Sequence, residues 1–232
     1  MKVVILAGGF GTRLAEYTKT IPKPMVKILG VPIIERIIKH YSTYGFKDFL
    51  IAGGYKQNIL KDYFSKNLKH LNIKIVNTGK KTMAGGRIKR LQKLINDEKF
   101  MLTYGDGISN VNLKNLLTFH NRSKNFVTLT AVRPPARFGG IKISGKKVKY
   151  FKEKSNLDEG WINGGFFVME PKIFNYLKND NTILEGMPLE NICKKNKLGA
   201  YKHNGFWQCM DTKRDKDTLE EIWQSKKVPW LL

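Results

Sequence analysis

The apolar run Val3-Val4-Ile5-Leu6-Ala7 stops at Gly8-Gly9, and Gly11-Thr12-Arg13 follows after a single aromatic residue. A short continuous apolar run bounded by glycine is the texture of a strand buried on both faces, as in a parallel sheet covered by helices. Glycines placed directly after such a strand let backbone N–H groups approach an anion. Together these features call for an α/β sheet whose first strand delivers an anion-binding loop at its carboxyl end. The loop matches neither common nucleotide fingerprint. Leu14 stands where G-x-G-x-x-G requires its last glycine, and no Gly-Lys-Ser/Thr follows as in a P-loop. Arg13, and Lys23 held between Pro22 and Pro24, favour a triphosphate cradle over an ordinary strand-to-helix turn.

The rest of the chain continues the alternation. Ile33, Ile34, Ile37, Ile38 and Tyr41 recur at helical spacing and Gly45 follows as a stop. A strand is expected at 49–52, a helix at 58–64, a strand at 73–76, a helix at 87–95 and strands at 100–104 and 126–132. The second half is less regular, with short strands near 141–143, 148–151 and 166–169 and helices near 172–177 and 189–195. No linker, low-complexity tract or repeat divides the sequence. The expectation is one domain over residues 1–232, an α/β fold with a Rossmann-like mixed, mainly parallel sheet flanked by helices.

Charge bears on partners. The 232 residues carry 42 Lys+Arg against 19 Asp+Glu, a formal net charge of +23. A field of that size attracts polyanions. The cations, however, are scattered singly or in pairs such as Lys80-Lys81, Lys146-Lys147, Lys194-Lys195 and Lys226-Lys227, without a block of five. They read as a solvated lysine-rich surface, so neither a nucleic-acid nor a membrane partner is expected. No apolar stretch approaches the ~20 residues of a membrane span, the start does not read as a signal peptide, and a cytoplasmic setting follows as the expectation. Cys193 and Cys209 lack the density of a disulfide framework and the spacing of a zinc site. His40, His70, His120 and His203 show no ligand spacing.

The run Leu6-Ala7-Gly8-Gly9-Phe10-Gly11-Thr12-Arg13-Leu14, followed by Pro22-Lys23-Pro24-Met25, resembles the signature of the sugar-phosphate nucleotidyltransferases. Further stretches are similar to the members of that family that use CTP and glucose 1-phosphate. These are Thr82-Met83-Ala84-Gly85-Gly86-Arg87, Thr103-Tyr104-Gly105-Asp106-Gly107, Arg137-Phe138-Gly139, Ile162-Asn163-Gly164-Gly165-Phe166-Phe167, and Gly205-Phe206-Trp207-Gln208 with Met210-Asp211-Thr212. The resemblance covers nearly the whole chain. It implies a triphosphate held by Leu6, Ala7, Gly8, Gly9, Phe10, Gly11, Thr12 and Arg13, with Lys23 meeting its phosphates and Arg13 and Lys23 acting in catalysis. Thr82, Arg87 and Gly105 are implied as further nucleotide contacts, with Thr82 and Arg87 reading the cytosine.

By the same resemblance Asp106 and Asp211 hold Mg²⁺, which takes one or two carboxylates and completes its shell with phosphate and water oxygens. Glu153, Lys154, Asn163 and Gly164 are implied at the acceptor, a phosphorylated small molecule with glucose 1-phosphate foremost. Ser155 replaces the proline that follows the family's lysine. The resemblance also raises a homo-oligomer, although the stretch between Phe64 and Thr78 is shorter than the inserted segment those enzymes carry there for subunit contacts.

Overall fold

The computed structural model describes residues 1–135, 140–152, 160–225 and 228–229. Its centre is an eight-stranded mixed sheet. From one edge the strands run Asn72–Asn77, Asp48–Gly53, Lys2–Leu6, Phe100–Tyr104, Phe167–Met169 and Val127–Val132, with Leu198–His203 and Ile162–Asn163 both pairing to Val127–Val132. The first four are mutually parallel, with Lys2 opposite Asp48 and Val3 opposite Met101. Phe167–Met169 is antiparallel to both of its neighbours, and Leu198–His203 is parallel to Val127–Val132.

The pleat explains why the first strand is apolar throughout. Val3 and Ile5 enter one apolar cluster together with Phe49, Ile51 and Met101, under the helix Ile33–Thr43. Val4 faces the opposite cluster with Leu50, Ala52 and Leu102, covered by Ile88, Ile173, Leu189 and Ile192. Each such side chain, fully buried, contributes roughly 1.5–3 kcal/mol. Because the parallel strands share one direction, the loops after Leu6, Gly53, Asn77 and Tyr104 emerge along the same edge of the sheet, where α/β proteins bind ligands.

Several elements differ from the sequence expectation. The single helix expected at 87–95 is two, Ala84–Arg90 and Gln92–Ile95, interrupted at Leu91. The helix expected at 172–177 is a 3₁₀ turn, Pro171–Tyr176. Two helices, Leu113–Ser123 and Lys213–Gln224, and the strand Leu198–His203 were not anticipated. No helix among the described residues is long and apolar enough to cross a membrane.

His40 lies on the buried face of the helix Ile33–Thr43, its Nε2 3.0 Å from the Val111 carbonyl oxygen. Burial drives its pKa down to about 4; the Val111 carbonyl opposes that shift and His203 adds to it. An unfolded histidine titrates near 6.5, so between about 6.5 and 4 the unfolded chain binds the extra proton and the folded one does not. Stability is therefore lost as pH falls through that window, by about 3 kcal/mol at its lower end. Urea unfolding at pH 7 and pH 4.5 should show this loss in the parent and a smaller one in His40→Gln. An equal loss in both would remove His40 as its source.

Candidate active site

The pairing of the first strand with its neighbour extends one residue beyond Leu6, where the Ala7 amide donates to the Ala52 carbonyl. The chain then turns through Gly8 to Gly11, and Gly11 has a φ of +66°, a left-handed conformation that glycine adopts without strain. A Cβ at Gly11 would also stand 2.9 Å from side-chain atoms of Lys23 and Thr18. A 3₁₀ turn, Thr12–Leu14, follows, and its Leu14 is buried and anchors the loop to the core. The Gly11 carbonyl accepts from the Leu14 amide and the Thr18 hydroxyl, each at 3.0 Å. Among the described residues no oxygen accepts from the amides of Gly9, Phe10 or Gly11. Exposed Phe10 packs on Tyr55, ring centroids 5.2 Å apart.

Lys23 opens a second 3₁₀ turn, Lys23–Met25, seated by buried Pro24 and Met25. Its Nζ lies 2.6 Å from Asp106 Oδ2 and 2.5 Å from Asp211 Oδ1, while Arg13 Nη1 lies 2.9 Å from Asp211 Oδ2. Burial works against the Lys23 ammonium, but Asp106 and Asp211 outweigh it and raise its pKa, so it stays charged. The two aspartates are far apart in sequence and meet through a two-stranded ribbon in which Gly107–Ser109 pairs with Trp207–Cys209, Gly107 opposite Cys209. The Met210 amide donating to the Asp106 carbonyl at 2.9 Å closes the ribbon at the aspartates.

Asp215, which the sequence reading missed, sets the backbone at Asp211. Its Oδ2 accepts from the amides of Asp211 and Thr212 and from the Thr212 hydroxyl at 3.0, 2.8 and 2.9 Å, a capping box at the start of Lys213–Gln224. The Thr-x-x-Asp spacing was the available signal.

Asp106 and Asp211 present carboxylate oxygens to one shared cation, the ammonium of Lys23. Among the described residues no cluster of three His, Cys, Asp or Glu forms a larger metal cage. Two converging carboxylates beside a phosphate loop are a donor set that suits Mg²⁺, whose remaining ligands come from substrate and water. A cleft of about 130 Å³ opens here, with Leu6, Ala7, Gly9 and Gly11 on one side and Lys23, Pro24, Tyr104, Gly105 and Asp106 on the other.

Of the expected acceptor residues, Asn163 meets Tyr104, which lines the same cleft. Asn163 Nδ2 donates to the Tyr104 hydroxyl at 3.1 Å, and that hydroxyl donates to Glu185 Oε1 at 2.5 Å. Burial, with Glu185 acting in the same direction, pushes the Tyr104 pKa up, so the phenol remains a donor. Trp207 Nε1 donates to the Gly164 carbonyl at 2.7 Å and ties this segment to the aspartate ribbon. Tyr104 lay inside a motif read for its aspartate, and Glu185 carried no sequence signal. Glu153, Lys154 and Arg137-Phe138-Gly139 lie outside the described residues.

Thr82 and Arg87, expected to read the base, are buried and are not among the residues that line the cleft. The Arg87 guanidinium donates to the carbonyls of Gly8, Gly53, Gly79 and Lys80 and to the Thr78 hydroxyl.

A glycine loop with free amides, two cations and two convergent carboxylates at the carboxyl edge of a mainly parallel sheet define a phosphate-handling enzyme of the α/β class. The family model for nucleotidyl transferases matches residues 2–212, and the chain belongs to that family. It is 43% identical over 253 aligned residues to the glucose-1-phosphate cytidylyltransferase of Salmonella typhi, covering 99% of this chain and 98% of that protein. It is 38% identical over 252 residues to a Bacillus subtilis (strain 168) protein designated a probable glucose-1-phosphate cytidylyltransferase, covering 99% of each. The solved structure of a UDP-glucose pyrophosphorylase with UDP-glucose shares the fold, with a TM-score of 0.76 at 21% identity over 97% of this chain and 98% of that one.

Proposed function

We propose that the protein transfers the cytidylyl group of CTP to glucose 1-phosphate, giving CDP-glucose and pyrophosphate. The observation that carries this reading is the convergence of Arg13, Lys23, Asp106 and Asp211 beside the free amides of Gly9, Phe10 and Gly11. The near full-length similarity to glucose-1-phosphate cytidylyltransferases supports CTP as donor and glucose 1-phosphate as acceptor.

The reaction needs no general base, because the acceptor phosphate is already an anion at neutral pH. One of its oxygens forms a bond to the α-phosphorus, the bond from that phosphorus to the α,β-bridging oxygen breaks, and pyrophosphate leaves with the electron pair. The obstacle is repulsion between a dianion and a triphosphate, so positioning and charge neutralisation dominate catalysis. The amides of Gly9, Phe10 and Gly11 bind triphosphate oxygens. Arg13, whose side chain is 71% exposed, turns from Asp211 to the departing pyrophosphate. Lys23 moves from the aspartates to the phosphates, and Asn163 and Gly164 hold the acceptor, with Glu153 and Lys154 assigned there by resemblance. Mg²⁺ on Asp106 and Asp211 supplies Lewis-acid charge neutralisation when bound.

Pyrophosphate release should be measured with CTP, UTP, GTP and ATP in the presence of glucose 1-phosphate, other sugar 1-phosphates and a non-sugar phosphate. CTP with glucose 1-phosphate should exceed every other pair by about tenfold or more. Equal rates with UTP would remove the CTP assignment, and a faster alternative acceptor would replace glucose 1-phosphate.

A further inference from the structure

We infer that Arg87 is a positioning residue for the phosphate loop, a guanidinium that sets the Gly8–Arg13 backbone from beneath and does not read the base. The inference rests on the reading of that loop as a triphosphate cradle.

The geometry is specific. Nη2 reaches the Gly8 carbonyl at 2.9 Å and the Lys80 carbonyl at 3.4 Å. Nη1 reaches Thr78 Oγ1 and the Gly79 carbonyl, each at 2.7 Å, and the Gly53 carbonyl at 3.3 Å. One planar group therefore joins the chain at the end of the strand Asp48–Gly53 and just past the parallel strands Lys2–Leu6 and Asn72–Asn77. The Tyr55 amide adds a second hold on the Gly8 carbonyl at 3.2 Å. With that carbonyl held from below, the free amides of the next three residues stay available to an anion.

Two glycines make the space. A Cβ at Gly8 would lie 2.0 Å from Arg87 Nη1, and one at Gly54 would lie 2.5 Å from the Gly79 carbonyl oxygen and 2.7 Å from both Nη1 and the Gly8 carbonyl oxygen. Gly54 thus belongs to the same device. The helix that presents Arg87, Ala84–Arg90, is fixed in turn. The Met83 and Gly86 amides donate to the carbonyls of Asp180 and Thr182, and Arg90 forms a two-point ion pair with Asp180. A base-reading guanidinium would need donors aimed at the ligand, whereas both terminal nitrogens here are committed to protein oxygens.

The test uses inorganic tripolyphosphate, a ligand with no base, together with CTP and UTP kinetics on the parent and on Arg87→Ala, Arg87→Lys and Gly54→Ala. Calorimetry should show Arg87→Ala binding tripolyphosphate at least about tenfold more weakly. Its KM values for CTP and UTP should rise by the same factor, leaving the parent's CTP-over-UTP ratio of kcat/KM intact. Added methylguanidinium should restore part of the tripolyphosphate affinity. Arg87→Lys, which keeps the charge but not the planar fork, should remain impaired, and Gly54→Ala should reproduce the pattern with Arg87 in place. Parental tripolyphosphate affinity in Arg87→Ala with collapsed CTP-over-UTP selectivity would overturn the inference in favour of base reading. Should Arg87→Ala not fold, parental tripolyphosphate affinity in Gly54→Ala would overturn it equally. A parent that does not bind tripolyphosphate would instead bring down the cradle reading, and the inference with it.

Discussion

Asp106→Asn is expected to cut turnover by about a thousandfold while leaving the cooperative thermal transition in place. The substitution keeps the shape of the side chain and removes the charge that faces Lys23 at 2.6 Å. Two carboxylates are the whole acidic complement gathered at this point among the described residues, so on the proposed function losing one would halve the anionic donors for Mg²⁺. Removal of a single element of preorganised charge stabilisation typically costs 10²–10³ in rate, and on the proposed function a metal ligand would go with it. The fold should tolerate the change. The Asp106 carbonyl that accepts from Met210 is backbone, and the side chain is 28% exposed, so no buried charge is orphaned. Pyrophosphate release with saturating CTP and glucose 1-phosphate, beside a thermal melt, separates the two effects. Unchanged turnover would remove Asp106 from the metal site.

The second large effect concerns Lys23. Its ammonium bridges Asp106 and Asp211 and so competes for the carboxylates that would hold a divalent cation. Lys23→Met should therefore act in opposite directions on two measurements. Turnover should fall by about two orders of magnitude or more, because the cation proposed to screen the reacting phosphates is gone. Mn²⁺ binding to the nucleotide-free protein, followed by the EPR signal of the free ion, should tighten by about tenfold or more, because the paired carboxylates lose their internal counter-ion. Equal Mn²⁺ affinity in parent and variant would show that Lys23 and the metal do not compete for the aspartates.

What could be read from residues alone followed from how each element is stabilised. The strands Lys2–Leu6, Asp48–Gly53 and Phe100–Tyr104 are buried on both faces, so their apolar runs were visible, and Ile33–Thr43 carries a full apolar stripe. Lys213–Gln224 was missed because only Asp215 and Leu219 of its twelve residues are buried, too thin a stripe to show a period. Leu113–Ser123 was hidden by its buried His120, a polar residue satisfied by Thr128 and Glu170. The strand Leu198–His203 carries Gly199, Ala200 and Lys202 in place of an apolar alternation and owes its place to parallel pairing with Val127–Val132, which is not a local property.

For the site, the motifs marked individual residues of the cleft but not the contacts that bring them together. Asp106 and Asp211 were named from short motifs, but their meeting depends on a ribbon between segments separated by about a hundred residues. Arg87 shows the opposite case, where a motif marked the residue and said nothing about the direction of its guanidinium. That direction follows from Gly8 and Gly54, which leave room for it.

Attack of a sugar phosphate on the α-phosphorus of CTP can be followed with glucose 1-phosphate whose non-bridging phosphate oxygens carry ¹⁸O. Incubation of the purified protein with this acceptor, unlabelled CTP and Mg²⁺ should yield CDP-glucose that retains all of the label and pyrophosphate that carries none, as read by mass spectrometry. Label in pyrophosphate, or failure to form CDP-glucose under these conditions, would rule out attack of glucose 1-phosphate on the α-phosphorus of CTP.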